Sequence, residues 1–196
     1  INPQNILINP ETLEVRLTGF GVSTQLSREN QQVAHASLLE GTLAYMSPEQ
    51  TGRMNRAVDS RTDLYSLGIT FYEMLIGNVP FRSQDALEVV HSHIAKRAVP
   101  PCTHDPEIPA AISDIVMKLL AKTSEERYRS AYGLKADLET CLSQLKTKKE
   151  IDLKIGEQDI SDTFDIPQKL YGRDNEVKVL LDTFDRISEG TRELML

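Results

Sequence analysis

Thr62-Asp63-Leu64-Tyr65-Ser66-Leu67-Gly68-Ile69-Thr70-Phe71-Tyr72-Glu73-Met74-Leu75-Ile76 is apolar around almost its whole helical circumference. A helix of that kind is buried at the centre of a domain. Gly77-Asn78 ends it. The run falls short of the roughly 20 apolar residues that a membrane span requires and carries Glu73 in its middle, so no membrane partner is expected. Working outward, the pattern predicts a second helix over 84–96 and a third over 109–122, where Ile112, Ile115, Val116, Leu119 and Leu120 share one face. A fourth is predicted over 130–146, with Leu134, Leu138, Cys141, Leu142 and Leu145 on its stripe. Pro100-Pro101 and Pro106 mark an irregular connection. On the N-terminal side, short β-like runs at 5–8 and 15–18 flank Asn9-Pro10-Glu11-Thr12, a turn in which Asn favours the first position and Pro presets φ at the second. The polar stretch from Gly19 to about Glu40 reads as a long loop. The expected class is mainly α, a helical bundle entered through a small β-hairpin.

Composition narrows the function by exclusion. The 196 residues carry 29 Asp plus Glu against 22 Lys plus Arg, a net charge of −7 without the basic footprint of a nucleic-acid binder. Lys146 to Lys149, the main cationic cluster, reads as the solvated end of a helix. Cys102 and Cys141 lie far apart with no C-x-x-C or Cys/His cluster, which removes a disulfide framework and a zinc site of ordinary spacing and points to reduced thiols in a cytoplasmic protein. His91 and His93, two apart on a helix, face different ways and are assigned surface or packing roles. The opening Ile1-Asn2-Pro3-Gln4-Asn5 has neither a basic stretch nor an apolar run, and a chain starting inside a longer protein is expected. Gly19-Phe20-Gly21-Val22-Ser23-Thr24 is no dinucleotide cradle, because the third glycine of G-x-G-x-x-G and a surrounding βαβ unit are missing.

Short motifs then occur in a telling order. Ile1-Asn2-Pro3-Gln4-Asn5 is similar to the end of a protein kinase catalytic loop, and Gly19-Phe20-Gly21 stands where that family has D-F-G. Gly41-Thr42-Leu43-Ala44-Tyr45-Met46 resembles the G-T-x-x-Y-M stretch that docks the substrate peptide, and Ser47-Pro48-Glu49 resembles A-P-E. Asp63-Leu64-Tyr65-Ser66-Leu67-Gly68 resembles the D-x-W-S-x-G that opens the central helix, and Glu125-Glu126-Arg127 carries the late arginine. Together they resemble the C-terminal lobe of a eukaryotic-type serine/threonine protein kinase over residues 1–146.

The resemblance implies ATP and Mg2+ as cofactors and a protein bearing Ser or Thr as substrate. It implies that Asn5 offers a neutral oxygen to a metal, a residue that by local sequence is also a turn asparagine after Pro3. Gly41, Thr42, Tyr45, Ser47 and Pro48 would form the substrate-docking part of the activation segment, with Ser47 and Pro48 equally readable as a helix N-cap and first helical residue. Glu49 and Arg127 would clamp that segment to the helices, and Asp63 would accept N–H bonds from the catalytic loop. Ser37 and Thr42 are possible phosphosites, with Arg53 and Arg56 as cations that could hold the phosphate. Three departures limit what carries over. The catalytic aspartate would sit just before Ile1 together with the upper, N-terminal lobe; the D-F-G aspartate is Gly19; and the catalytic-loop lysine is Asn2.

Residues 147–165 read as an acidic linker. Residues 166–196, with Tyr171-Gly172-Arg173 before an amphipathic run at 177–187, resemble the lead-in to the P-loop ATPase-like module that follows the kinase domain in cyanobacterial-type multidomain sensor histidine kinases, where ATPase and sensor modules are the downstream partners. Two functions remain: an incomplete serine/threonine kinase domain that is inactive as the isolated chain, or a pseudokinase-like docking domain, including the remnant of a truncated reading frame. With the covering helix upstream of Ile1, large apolar side chains of the central helix are expected to be exposed, leaving the chain marginally folded.

Overall fold

The computed structural model describes residues 1–22, 43–53, 56, 58–147 and 151–160. The expectations for Ser37, Gly41, Thr42 and residues 177–187 fall outside the described residues. All that follows concerns one compact unit, residues 1–162.

The chain opens with a 3-10 turn, Pro3–Asn5, whose N-cap Asn2 accepts the Asn5 N–H on its side-chain oxygen at 3.1 Å. Strands β1 (Ile6–Ile8) and β2 (Val15–Leu17) pair antiparallel, with Ile6 opposite Leu17 and Ile8 opposite Val15. The turn between them is organised by Asn9, whose Oδ1 accepts N–H bonds from Glu11 and Thr12 and whose carbonyl accepts the Leu13 N–H. Asn is suited to this because its short side chain mimics a backbone carbonyl.

Helix α1 (Arg61–Ile76) is the central element and ends on Gly77 at φ 78°, a left-handed C-cap whose N–H reaches the Glu73 carbonyl. Helix α2 (Ala86–Ala95) is capped by Asp85, which accepts the Leu87 N–H at 2.9 Å. Part of the connection expected to be irregular is instead a short helix, α3 (Pro101–His104), with proline at its first position, where a missing N–H costs nothing. Helices α4 (Ala110–Leu119) and α5 (Ala131–Thr147) complete the bundle.

Two apolar clusters meet along α1 and α4. One gathers Tyr65, Ile69, Tyr72, Phe81, Ala98, Val116 and Leu120; the other gathers Leu64, Ile115, Leu119, Tyr128, Leu134 and Cys141. Between the helices Gly68 lies so near that a Cβ there would come within 2.7 Å of the Leu119 Cβ, so a glycine sets the α1–α4 spacing. The expected exposure of the central helix is confined to one edge: Leu64, Tyr65, Ile69 and Tyr72 are buried, Leu67 and Phe71 half-buried, and Met74 exposed. Apolar exposure collects on the hairpin region instead, at Leu7, Ile8, Leu13, Val15, Leu17 and Phe20.

The acidic stretch read as a linker also differs. Ile151, Leu153 and Ile155 point alternately inward and pack on the second cluster, so residues 151–160 run over α4 and α5 as a strap that turns at 155–158. No helix among the described residues is long and apolar enough to cross a membrane.

Candidate functional site

Residues 43–49 form a shelf laid on α1. A 3-10 turn at Leu43–Tyr45 leads to Ser47, Pro48 and Glu49, all buried. The Ser66 hydroxyl on α1 donates to the Tyr45 carbonyl at 2.7 Å, and the Tyr45 hydroxyl donates to Glu73 Oε2 at 2.5 Å. Burial and the adjacent Glu73 carboxylate push the Tyr45 phenol up to about 12. The helix readable after Pro48 is a single 3-10 turn, Glu49–Thr51, closed by Gly52 at φ 68°. Its capping runs opposite to the expected sense, because the Gln50 side-chain oxygen reaches back to the Ser47 N–H and hydroxyl.

Glu49 and Arg127, 78 residues apart in sequence, meet in the interior. Arg127 Nη1 lies 2.7 Å from Glu49 Oε1 and Nη2 lies 2.9 Å from Oε2. The remaining guanidinium donors go to the carbonyls of Arg61, Lys122 and Ala121, so all five N–H groups are used. Thr62 adds a hydroxyl bond to Glu49 Oε1 at 2.8 Å, and the Tyr65 ring lies 4.8 Å from the guanidinium carbon. Burial works against the Glu49 carboxylate, but the hydrogen bonds and charge of Arg127 outweigh it and hold its pKa below the usual range. A charge pair this deep is tolerated because every donor and acceptor is matched.

Beside the clamp, the Tyr65 hydroxyl and His93 Nδ1 are 3.0 Å apart, and the other edge of the fully buried imidazole faces the backbone of Leu43 and Ala44 without closing a normal hydrogen bond. Burial, then the Lys122 cation, lowers His93 to about 4, so the ring is neutral at pH 7. Lys122 is itself lowered to about 8 by burial and by Arg127; its ammonium donates to the carbonyls of Ser92 and His93 and sits 4.5 Å from the Phe81 ring centroid. His93 thus takes the packing role allotted to it, joining the shelf to α1 and α2. Glu73 and His93 were not singled out as shelf residues; the signal for Glu73 was its being the single charge within the apolar run 64–76.

Near the N-terminus, the structure brings Asn5 and Gly19 together. Gly19 has φ 78°, and a Cβ built there would lie 2.8 Å from Asn5 Oδ1. Asn2, at the position of the missing lysine, is occupied in capping the turn before Asn5. The exposed Asp63 carboxylate lies 3.9 Å from the amino group of Ile1, which places the start of α1 beside the loop at the N-terminus. Arg56 pairs with Glu125 at 2.7 Å. Among the described residues no three His, Cys, Asp or Glu side chains gather into a metal-binding group.

The protein kinase domain family model matches residues 1–137. Among curated proteins, the hybrid signal transduction histidine kinase G of Dictyostelium discoideum is 39% identical over 79% of this chain. A probable serine/threonine-protein kinase of Clostridium perfringens is 36% identical over 83% of the chain, and the serine/threonine-protein kinase PknB of Mycobacterium tuberculosis 34% over 70%. The matched parts amount to 5% of the first relative and 22% of each of the other two.

Proposed function

The chain belongs to the protein kinase domain family, and from that premise we propose that it is the C-terminal, substrate-docking lobe of a serine/threonine protein kinase and does not itself carry out phosphoryl transfer. In the parent protein the reaction is transfer of the ATP γ-phosphoryl group to a Ser or Thr hydroxyl of a protein. The observation that carries this reading is the anchoring of the 43–49 shelf. Ser66, Glu73, Thr62 and Arg127 hold it at successive points, which gives a peptide acceptor a rigid surface to lie on. Half-buried Tyr45 is the described part of that surface, supported from beneath by the buried Ser47 and Pro48, while Gly41 and the phosphosite candidates Ser37 and Thr42 fall outside the described residues. Because Arg56 is engaged by Glu125, Arg53 is the better candidate to meet a phosphate there.

The residues present do not fit a catalytic magnesium. Mg2+ in such sites is held by carboxylates, whereas Asn5 contributes one neutral oxygen and its neighbour, Gly19, contributes none. No step of transfer is therefore assigned to this chain. Residues 166–196 are read as the start of an ATPase-like module of a larger sensor protein, a reading supported by the hybrid histidine kinase among the relatives.

The test is calorimetric titration of the purified chain with Mg·ATP, together with radiolabel transfer to a generic Ser/Thr acceptor. Neither binding nor transfer is expected. Transfer that disappears in Asn5→Ala would overturn the assignment. Gly19→Asp is expected not to restore metal binding, since a side chain at φ 78° would be strained and its Cβ would strike Asn5.

A further inference from the structure

Residues 151–160 lie beyond the 1–137 region that the family model covers, yet they are fastened to the helices at four places. Ile151, Leu153 and Ile155 alternate into the cluster formed by Leu64, Ile115, Leu119, Tyr128, Leu134 and Cys141, while Asp152 and Lys154 face solvent. The Gln144 side chain on α5 grips the Asp152 backbone twice, accepting its N–H at 2.8 Å and donating to its carbonyl at 2.9 Å. Asp137 Oδ2 accepts the Gly156 N–H at 2.7 Å as well as the Tyr128 hydroxyl at 2.6 Å. Asp159 closes the end, its carboxylate accepting the backbone N–H of Arg129 at 2.8 Å and of Ser130 at 3.3 Å just before α5, where the helix dipole favours an anion.

Two glycines are shaped to this contact. A Cβ on Gly133 in the first turn of α5 would come 2.3 Å from the Asp159 carboxylate, and Gly156 turns at φ 77° over the Lys118 side chain. Glycine is a poor helix residue, so Gly133 is accounted for by the strap it admits. The contacts are nonetheless local. Ile151, Leu153 and Ile155 are only half-buried, and the fastenings at Gln144 and Arg129 are exposed, with the Gly156–Asp137 bond the deeper one. Segments held this way open at lower free energy than the core beneath them.

We propose that residues 151–160 are a latch: a segment that docks on a preformed groove of α4 and α5 and releases without unfolding the helices. The groove recognises alternating apolar side chains followed, after a left-handed glycine, by a carboxylate. Docked, the latch holds the chain to the bundle as far as Ile160. Released, residues 151–160 become a tether that can extend to about 34 Å, at about 3.4 Å per residue, ahead of the chain that follows. The inference stands on packing alone and is independent of the kinase reading.

Hydrogen exchange of the full 196-residue chain, read by mass spectrometry, tests it with Gly133→Ala and Asp159→Asn. Amides of 151–160 in the unsubstituted chain are expected to exchange at least tenfold more slowly than in a free peptide of the same sequence. Both substitutions should raise that rate about tenfold or more while α1 keeps its protection, and should open tryptic cleavage at Lys154. Gly133→Ala is the sharper variant, because with no latch it would simply improve the helix. Free-peptide exchange in the unsubstituted chain, or unaltered exchange in both variants, would overturn docking. A parallel rise in α1 and strap exchange would overturn release as a separate event.

Discussion

The hairpin end of the molecule and the clamp around Arg127 are built on opposite terms. Around β1 and β2 the large apolar side chains Leu7, Ile8, Val15 and Leu17 are exposed, and the order comes from backbone pairing and the Asn9 turn. At the clamp Glu49, Thr62, Tyr65 and Arg127 are buried, and the Arg127 donors are matched both by the distant Glu49 and Arg61 and by the nearby carbonyls of Ala121 and Lys122. The difference shows which losses a fold can absorb. A carboxylate missing at exposed Gly19 removes chemistry but leaves no unpaired partner, whereas a missing Arg127 would strand a buried anion and three carbonyls.

The comparison breaks if the clamp proves dispensable. Arg127→Ala is expected to cost about 3–5 kcal/mol in denaturant unfolding, since one partner of a buried pair would be left behind. Arg127→Lys should recover only part of that, because an ammonium cannot reproduce the five-donor fork. A loss below about 1 kcal/mol would show that the pair is not the anchor described.

Acid should act on the same region. His93 has a folded pKa near 4 against an ordinary 6.5, so the unfolded chain binds the extra proton and stability falls as the pH drops from 6.5 toward 4. The slope approaches about 1.4 kcal/mol per pH unit at its steepest. Glu49, lowered by Arg127, contributes stability that is present above the ordinary carboxylate range and is lost as the pH falls through its folded value, extending the decline below about 4.5. Unfolding free energies measured from pH 7 to 4 would show this, and His93→Gln should flatten the upper part of the curve.

Gly68→Ala, which overfills the α1–α4 contact, is expected to lower stability by about 1–3 kcal/mol in the same denaturant assay. At the hairpin the effects should be smallest. Leu7→Ser, at a side chain 56% exposed, is expected to change stability by no more than about 0.5 kcal/mol while reducing binding of a hydrophobic dye. A loss as large as that of Gly68→Ala would mean that the hairpin packs as the core does.

Local sequence was sufficient where the physics is local. The hairpin turn was legible in Asn9-Pro10, the central helix in its all-round apolarity, and α4 and α5 in their stripes, with ends that differ from the structure by up to three residues. Helix α3 was hidden by Pro100-Pro101, which reads as punctuation although proline is well suited to a first helical turn. The strap was hidden by its acidity, which outweighed the one informative signal, the period-two alternation of Ile151, Leu153 and Ile155. Of the site, Glu49 and Arg127 were found by motif, but their five-donor arrangement was not, since three of the acceptors are backbone carbonyls that carry no sequence signature.

By itself the sequence determined a mainly helical domain around 62–76, the positions where kinase-like motifs stand, and the absence of a carboxylate at Gly19. The tertiary structure alone decided that Gly19 faces Asn5, that Glu73 and His93 serve the shelf, and that 151–160 docks rather than links. Those depend on which buried polar groups and which close approaches the packing creates, and complementarity between segments distant along the chain is a property of the packed molecule rather than of any one stretch.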